Sequence, residues 1–354
     1  MGTRKILVTG CSSGIGLALA VRLAKDKLRR FKVVATMRDL DKREALERAA
    51  GESLNRSLEI RQLDATCEDS IRECVNSLPN QQVDVLVNNA GVGMIGPLEC
   101  QNVSAMQELF NTNFFGLVRL EKELLPDMKR RQSGHIVVMS SVLGIQGLFF
   151  NDVYAASKFA VEGFCESLAV QAMKFNVKMT LVEPGPVVTE FEKKVYEEAE
   201  KMDLSETDEE TARIFRQIYL KYSHKVFNSV GQTPEEVAEQ TLQLIVSKNP
   251  PFRHQTNRLY MPLTAMKHAD PTGRLPIDAL YKMIFQHDRM FNASLEYSTH
   301  TSQENGCCLK SSLRILMEKN ISKAFQRQFY GSQCSMQIIK CGKTTDSIAT
   351  VLLL

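Results

Sequence analysis

Short runs of β-branched and apolar residues recur along the first two-thirds of the chain. Ile6–Thr9, Lys32–Ala35, Leu58–Gln62, Val83–Val87, His135–Ser140 and Lys178–Val182 read as six strands. Amphipathic stretches long enough for crossover helices lie between them. Such alternation predicts a doubly wound α/β fold, a parallel sheet with helices on both faces, because right-handed crossovers bury both sides of the sheet. After Gly185 the pattern changes. Residues 190–230 carry Glu, Lys and aromatics at helical spacing, which predicts a helical lid inserted at the C-terminal edge of the sheet. Thr233-Pro234-Glu235-Glu236 is a helix start, with cap, proline and acids in order, and predicts a helix to about Ser247. Arg258–Met261 reads as a last strand, for about seven in all. Residues 1–292 form one domain on this reading, and residues 293–354 a C-terminal tail without strand–helix rhythm.

Composition narrows the class. In 354 residues the formal net charge is only +3, which argues against a nucleic-acid partner. The charge is uneven: residues 250–330 hold eleven Lys and Arg against six Asp and Glu, a basic stretch suited to an anionic membrane surface. No run of about 18 apolar residues offers a transmembrane helix. The first residues are already strand and turn, which leaves no room for an export signal. Nine cysteines are scattered apart from Cys307-Cys308, without metal-ligand spacing, so no metal is expected and a reduced, cytosol-facing protein is the simplest reading.

Thr9-Gly10-Cys11-Ser12-Ser13-Gly14-Ile15-Gly16 follows the first strand and opens a helix. Gly10 permits a sharp turn, Gly14 lets backbone approach a pyrophosphate, and Gly16 lets the helix pack on the sheet. Free N–H groups at the helix start then meet the phosphates, as in a Rossmann dinucleotide site. An acid at the end of the second strand would hold the ribose 2′-hydroxyl of NAD. This chain has Arg38 there, suited to a 2′-phosphate and therefore to NADP(H), with Ser13 as a further donor and Asp39 next door as a competing feature. Asp64 follows the third strand, where it can reach an adenine amino group. Asn89, Ala90 and Gly91 form a turn after the fourth strand that can line a ribose.

Tyr154 and Lys158 lie four residues apart in a predicted helix and so face one way. A tyrosine is a poor base at neutral pH, and a neighbouring ammonium favours its phenolate. Ser141, thirteen residues before Tyr154 and just beyond the fifth strand, is placed to hold a substrate oxygen. Asn113 is placed to bind a water that relays protons to Lys158. Leu143, Leu148, Phe149, Phe150 and the 190–229 segment offer an apolar substrate wall.

The ordered set of glycine loop, Asn88-Asn89-Ala90-Gly91, Asn113, Ser141, Tyr154, Lys158 and Pro184-Gly185 resembles the short-chain dehydrogenase/reductase family over residues 1 to about 290. Pro126-Asp127-Met128-Lys129-Arg130-Arg131, Phe150-Asn151-Asp152-Val153-Tyr154 and Cys165-Glu166-Ser167-Leu168-Ala169 resemble its branch of steroid and photoreceptor retinol dehydrogenases. The resemblance implies Tyr154 as acid/base, Lys158 as its partner and ribose ligand, Ser141 as carbonyl orienter and Asn113 as support for the relay. It adds Pro184, Gly185 and Val187 to the cofactor site and gives Thr189 the nicotinamide carboxamide. Steroid enzymes of the branch carry a histidine in the substrate loop, where this chain has Tyr222, with His224 two residues on. That departure, together with Asn111-Thr112-Asn113-Phe114-Phe115-Gly116 and Ser229-Val230-Gly231-Gln232, favours all-trans-retinal and retinol over a 17β-hydroxysteroid. An inactive NADPH-binding scaffold is the remote alternative. A lipophilic substrate implies a peripheral place on the cytoplasmic face of membranes, in photoreceptor outer segments by resemblance, with Cys307 and Cys308 as palmitoylation candidates. The resemblance also implies a homodimer through the Tyr154-bearing helix.

Overall fold

The structure is a computed structural model that describes residues 3–286. Seven parallel strands form one sheet: β1 (Arg4–Val8), β2 (Phe31–Met37), β3 (Leu58–Gln62), β4 (Val85–Asn88), β5 (Gly134–Met139), β6 (Val177–Glu183) and β7 (Arg253–Gln255). Their order is β3-β2-β1-β4-β5-β6-β7. The order reverses between β1 and β4, where Ile6 pairs with Val85 and Val8 with Val87. The crevice beyond the carboxyl ends of these strands is where a doubly wound sheet binds its ligand.

Helices α1 (Gly14–Ala24), α2 (Glu44–Ala50), α3 (Glu68–Asn76), α4 (Val103–Phe110), α5 (Gly116–Arg131) and α6 (Asp152–Met173) belong to the strand–helix alternation. On one face of the sheet Leu19, Leu23, Leu46, Val237, Leu242 and Ile245 pack against β1 and β2. On the other, Ile71, Leu120, Leu124, Val161 and Cys165 pack against β4, β5 and β6. Both sheet faces are therefore dry, which explains why the strands read as continuous apolar runs.

The segment after β6 is helical: α7 (Glu190–Glu200), α8 (Glu209–Arg213), a π-helical segment Ile214–Leu220 and α9 (Lys221–Val230). It has a small core of its own, in which Ile95, Ala199, Phe215 and Tyr219 are buried beside Phe149 and Phe150. α10 (Pro234–Val246) begins at the Thr233 cap the sequence predicts, closed by Glu236 into a capping box, and has Ser247 as its C-cap. α11 (Met261–Ala269) and α12 (Arg274–Tyr281) complete the described chain. No described helix is long and apolar enough to cross a membrane.

One strand differs from expectation. Arg258–Tyr260 is a 3-10 turn that leads into α11, not a strand. The Asn257 side chain accepts the Leu259 N–H and caps that turn, while Pro262 removes a donor from the start of α11. The seventh strand is instead Arg253–Gln255, three polar residues paired with Leu181–Glu183.

Candidate active site

The loop after β1 sets the first wall. Gly10 has φ +70°, open to glycine at little cost, and a Cβ there would stand 2.9 Å from Ala90 Cα. At Gly16 a Cβ would meet the Gly10 carbonyl oxygen at 2.3 Å, so only glycine lets α1 approach so closely. Ser13 occupies the N-cap of α1 but makes no side-chain cap, which leaves the first-turn N–H groups and the positive end of the helix dipole for a ligand. A backbone cradle with an uncapped helix N-terminus suits the pyrophosphate of a dinucleotide.

Gly10, Ser12, Ser13, Gly14, Ile15, Arg38, Asp64, Asn89, Ala90 and Gly91 line one continuous cleft of about 520 Å³. Asp39 turns away: its carboxylate accepts the Asp41 N–H and lies 3.6 Å from Lys42. Arg38 is thus the charged side chain that β2 offers to the cleft, and it makes no ion pair among the described residues. Asp64 bonds to Thr66 N and Oγ1 at 2.9 and 2.7 Å while facing the cleft.

Thr9, Gly16 and Asn113 stand behind the wall rather than on it. Thr9 Oγ1 accepts the N–H groups of Asn89 and Ala90, both at 3.0 Å, and ties the β1 and β4 loops together. Asn113 lies in a π-helical turn, Asn111–Phe115. Its Oδ1 accepts Val92 N–H at 2.8 Å, and its Nδ2 donates to Val92 O and Ser157 Oγ at 2.9 and 3.1 Å. Both amide hydrogens hold the β4 loop against α6.

The middle of the cleft holds Ser141, Tyr154 and Lys158. Ser141 caps a short turn by accepting Leu143 N–H at 3.1 Å, and its hydroxyl meets Tyr154. Lys158 Nζ donates to Met139 O at 2.9 Å and lies 5.8 Å from the Tyr154 ring centroid. Burial lowers the Lys158 ammonium to about 8, opposed by the negative charge of Glu162. The Tyr154 phenol is raised above its usual range, first by burial and then by Glu192, against the Ser141 hydrogen bond. The lowering expected from Lys158 is not among these causes, and desolvation dominates.

Pro184, Gly185, Val187 and Thr189 continue the wall after β6. The Gly185 backbone passes so close to the Tyr260 ring that a Cβ would stand 2.8 Å from it. Thr189 caps α7 by accepting Glu192 N–H at 3.3 Å. The far chamber is apolar, with Leu143, Leu148, Phe149, Val195, Phe227 and Leu263 on its walls and Tyr222 among them. Phe150 does not reach it; the ring packs on Phe215 and Tyr219 at 5.0 and 5.5 Å. His224 also faces outward, toward Glu200 at 3.1 Å. Glu192, Tyr260 and the α11–α12 residues on the wall escape sequence reasoning. A Thr-x-x-Glu pattern reads as a cap, and Tyr260 falls in the misassigned strand. Cys307 and Cys308 lie outside the described residues.

Residues 4–200 match the family described as short chain dehydrogenase. The chain is 53% identical over 293 residues to Retinol dehydrogenase 8 of Homo sapiens, covering 83% of this chain and 94% of that protein. It is 45% identical over 287 residues to 17-beta-hydroxysteroid dehydrogenase type 1 of Homo sapiens, covering 80% and 87%. Among solved structures, the closed form of serine dehydrogenase complexed with NADP+ aligns with a TM-score of 0.58 at 28% identity, over 71% of this chain and 93% of that one. With its glycine cradle, its Ser141, Tyr154 and Lys158 cluster and these relatives, the chain belongs to the short-chain dehydrogenase/reductase family.

Proposed function

We propose that this protein is an NADP(H)-dependent oxidoreductase that reduces all-trans-retinal to all-trans-retinol, reversibly, with Tyr154 as acid/base. The observation that carries the reading is the single cleft that joins a dinucleotide cradle, a Tyr–Ser–Lys cluster and an apolar chamber. Gly10, Ser12, Ser13, Gly14 and Ile15 would hold the pyrophosphate, Arg38 the 2′-phosphate and Asp64 the adenine. Asn89, Ala90, Gly91 and Lys158 would hold the ribose side, and Pro184, Gly185, Val187 and Thr189 the nicotinamide end. Bound there, NADP(H) supplies or takes the hydride. Ser141 orients the carbonyl, and Tyr154 gives its proton to the oxygen. A phenol held above its usual range is the proton-bearing form that reduction needs. The apolar walls exclude water and suit a long polyene with one polar end.

The retinoid is favoured over a steroid because Tyr222 faces the chamber while His224 turns outward, and because the more similar of the two human relatives is a retinol dehydrogenase. The 17β-hydroxysteroid reading rests on the second relative. Membrane association through the basic C-terminal stretch, with acylation at Cys307 and Cys308, belongs to the same proposal, because retinoids reside in bilayers. The test is NADPH oxidation with all-trans-retinal and, separately, oestrone. Retinal reduction lost by at least about a thousandfold in Tyr154→Phe is the expected outcome. Turnover of oestrone alone would transfer the assignment to steroids.

A further inference from the structure

On α5 the inward positions recur at helical spacing: Leu117, Leu120, Glu121, Leu124, Leu125 and Met128 are all buried. Glutamate is the odd residue in that apolar stripe. An ionised carboxylate in a core is costly unless a cation meets it, so a buried carboxyl either pairs or keeps its proton. Among the described residues Glu121 makes no ion pair, and its one hydrogen bond is to Asn88, the last residue of β4. Asn88 Nδ2 donates to Glu121 Oε1 at 3.4 Å.

That contact leaves two orphans, and both belong to the same pair of groups. Glu121 Oε2 and Asn88 Oδ1 are buried without a hydrogen-bond partner. Two acceptors cannot satisfy each other, but one proton between them can. A protonated carboxyl has an O–H donor beside a carbonyl acceptor, and an amide has an N–H donor beside a carbonyl acceptor, so the two can close a ring of two hydrogen bonds. The neighbouring elements offer Glu121 no other partner. Lys158 of α6 shares a small cavity with Asn88 but donates to Met139 O. Burial holds the protons of Cys165 on α6 and Cys74 on α3 in place. His135 of β5 faces Thr180 at 3.0 Å, and Arg119 of α5 donates to Asn111. Burial raises the Glu121 carboxyl to about 8, against the Asn88 hydrogen bond.

We infer that Glu121 is a positioning residue for the cofactor turn, a neutral carboxylic acid whose O–H donates to Asn88 Oδ1 while its other oxygen accepts the Asn88 N–H. The inference rests on the reading of Asn89, Ala90 and Gly91 as a dinucleotide wall. The next side chain, Asn89, donates through Nδ2 to Thr9 O and Gly10 O at 2.9 and 3.2 Å. Consecutive asparagines thus tie the end of β4 to two supports, Asn88 to α5 and Asn89 to the glycine loop. Glu121 touches neither cofactor nor substrate and acts through the turn. When it loses its proton, the carboxylate presents only acceptors to Asn88 Oδ1, and the ring opens.

The experiment uses the full chain as wild type, Glu121→Gln and Glu121→Leu, with thermal melts to show that each folds. The infrared difference spectrum of wild type minus Glu121→Gln, taken without cofactor, is expected to show the C=O stretch of a protonated carboxyl at about pH 7. That band fades as pH rises through about 8, and its absence overturns the inference. NADPH titration by fluorescence reads the consequence. Glutamine brings an N–H donor and a carbonyl acceptor, so it keeps the ring at every pH. Between about pH 7 and pH 9 the wild-type Kd is expected to rise about tenfold more than that of Glu121→Gln. Glu121→Leu is expected to bind about tenfold more weakly than wild type at about pH 7. Lys158 titrates in the same range in all three proteins, so the difference between profiles is what counts. Parallel profiles in wild type and Glu121→Gln overturn the positioning role. If wild type binds no NADPH at any pH, the reading of the cleft falls, and the infrared band still decides the ring.

Discussion

Arg38 stands exposed at the end of β2 and lines the cleft, while Asp39 is taken up by the Asp41 N–H and Lys42. In sequence the two neighbours were competing signals, and only the turn geometry decides between them. A charge-assisted hydrogen bond to phosphate contributes roughly 1.5–3 kcal/mol, or about 10- to 100-fold in affinity. Arg38→Ala is therefore expected to raise KM for NADPH by that factor and to leave KM for NADH nearly unchanged, as initial-rate kinetics with both dinucleotides would show. An equal loss for both would place Arg38 on the adenine instead. Asn113 teaches the opposite lesson about single residues. Its place in the pattern was legible, but the partners of its amide, Val92 and Ser157, were not, because they come from other elements.

At the scale of elements, β7 is held by charge rather than by apolar burial. Arg253 pairs with Glu162 of α6, with Glu166 at 2.8 Å and with Glu183 of β6 at 3.2 Å. Glu183 is fully buried, and desolvation together with Glu162 pushes its carboxyl up to about 7. Removing the cation that pairs with buried Glu162 and Glu183 costs about 3–5 kcal/mol, since those carboxyls stay behind without it. Arg253→Met is expected to lower the melting temperature accordingly. The sign with pH follows from a raised native value. The contribution of Glu183 to stability is fully present below its unfolded value and is lost as pH rises through the native one. Without Arg253 the Glu183 carboxyl holds its proton to still higher pH, so the variant's deficit relative to wild type grows as pH rises above about 7 in thermal melts; a constant deficit would mean that the cluster stays ionised without Arg253. The same feature explains why β7 was illegible: Arg-His-Gln carries no apolar run, and its pairing depends on carboxylates from residues 162 and 183. β1 to β6 were legible because both faces are covered, and α10 because Thr233 and Pro234 announce it locally.

For the whole molecule, the doubly wound parallel sheet and the cofactor end of the cleft were legible from strand–helix alternation and one glycine loop. The far chamber was not, because its walls come from segments around residues 143–149, 195–227 and 260–284 that only the tertiary fold brings together. Val103, Phe115, Val170 and Met173 lie exposed on α4, its π-helical continuation and α6, the two last at 74% and 76%. We take this face to support the expected homodimer. Val170→Glu with Met173→Glu is predicted to convert a dimer to a monomer in sedimentation velocity, and an unchanged sedimentation coefficient would count against that face. A different consequence follows from the packing of α1 on α10, where Leu19 and Leu23 meet Val237 and Leu242, and Arg22 reaches Glu239 at 2.6 Å. During synthesis α1 leaves the ribosome well before its partner, which is encoded more than two hundred residues later. At about 5–20 residues per second, its apolar flank waits on the order of 10–40 s for its natural cover. During synthesis that flank is a client surface for a chaperone, and the rate of elongation between the two helices sets how long it remains one.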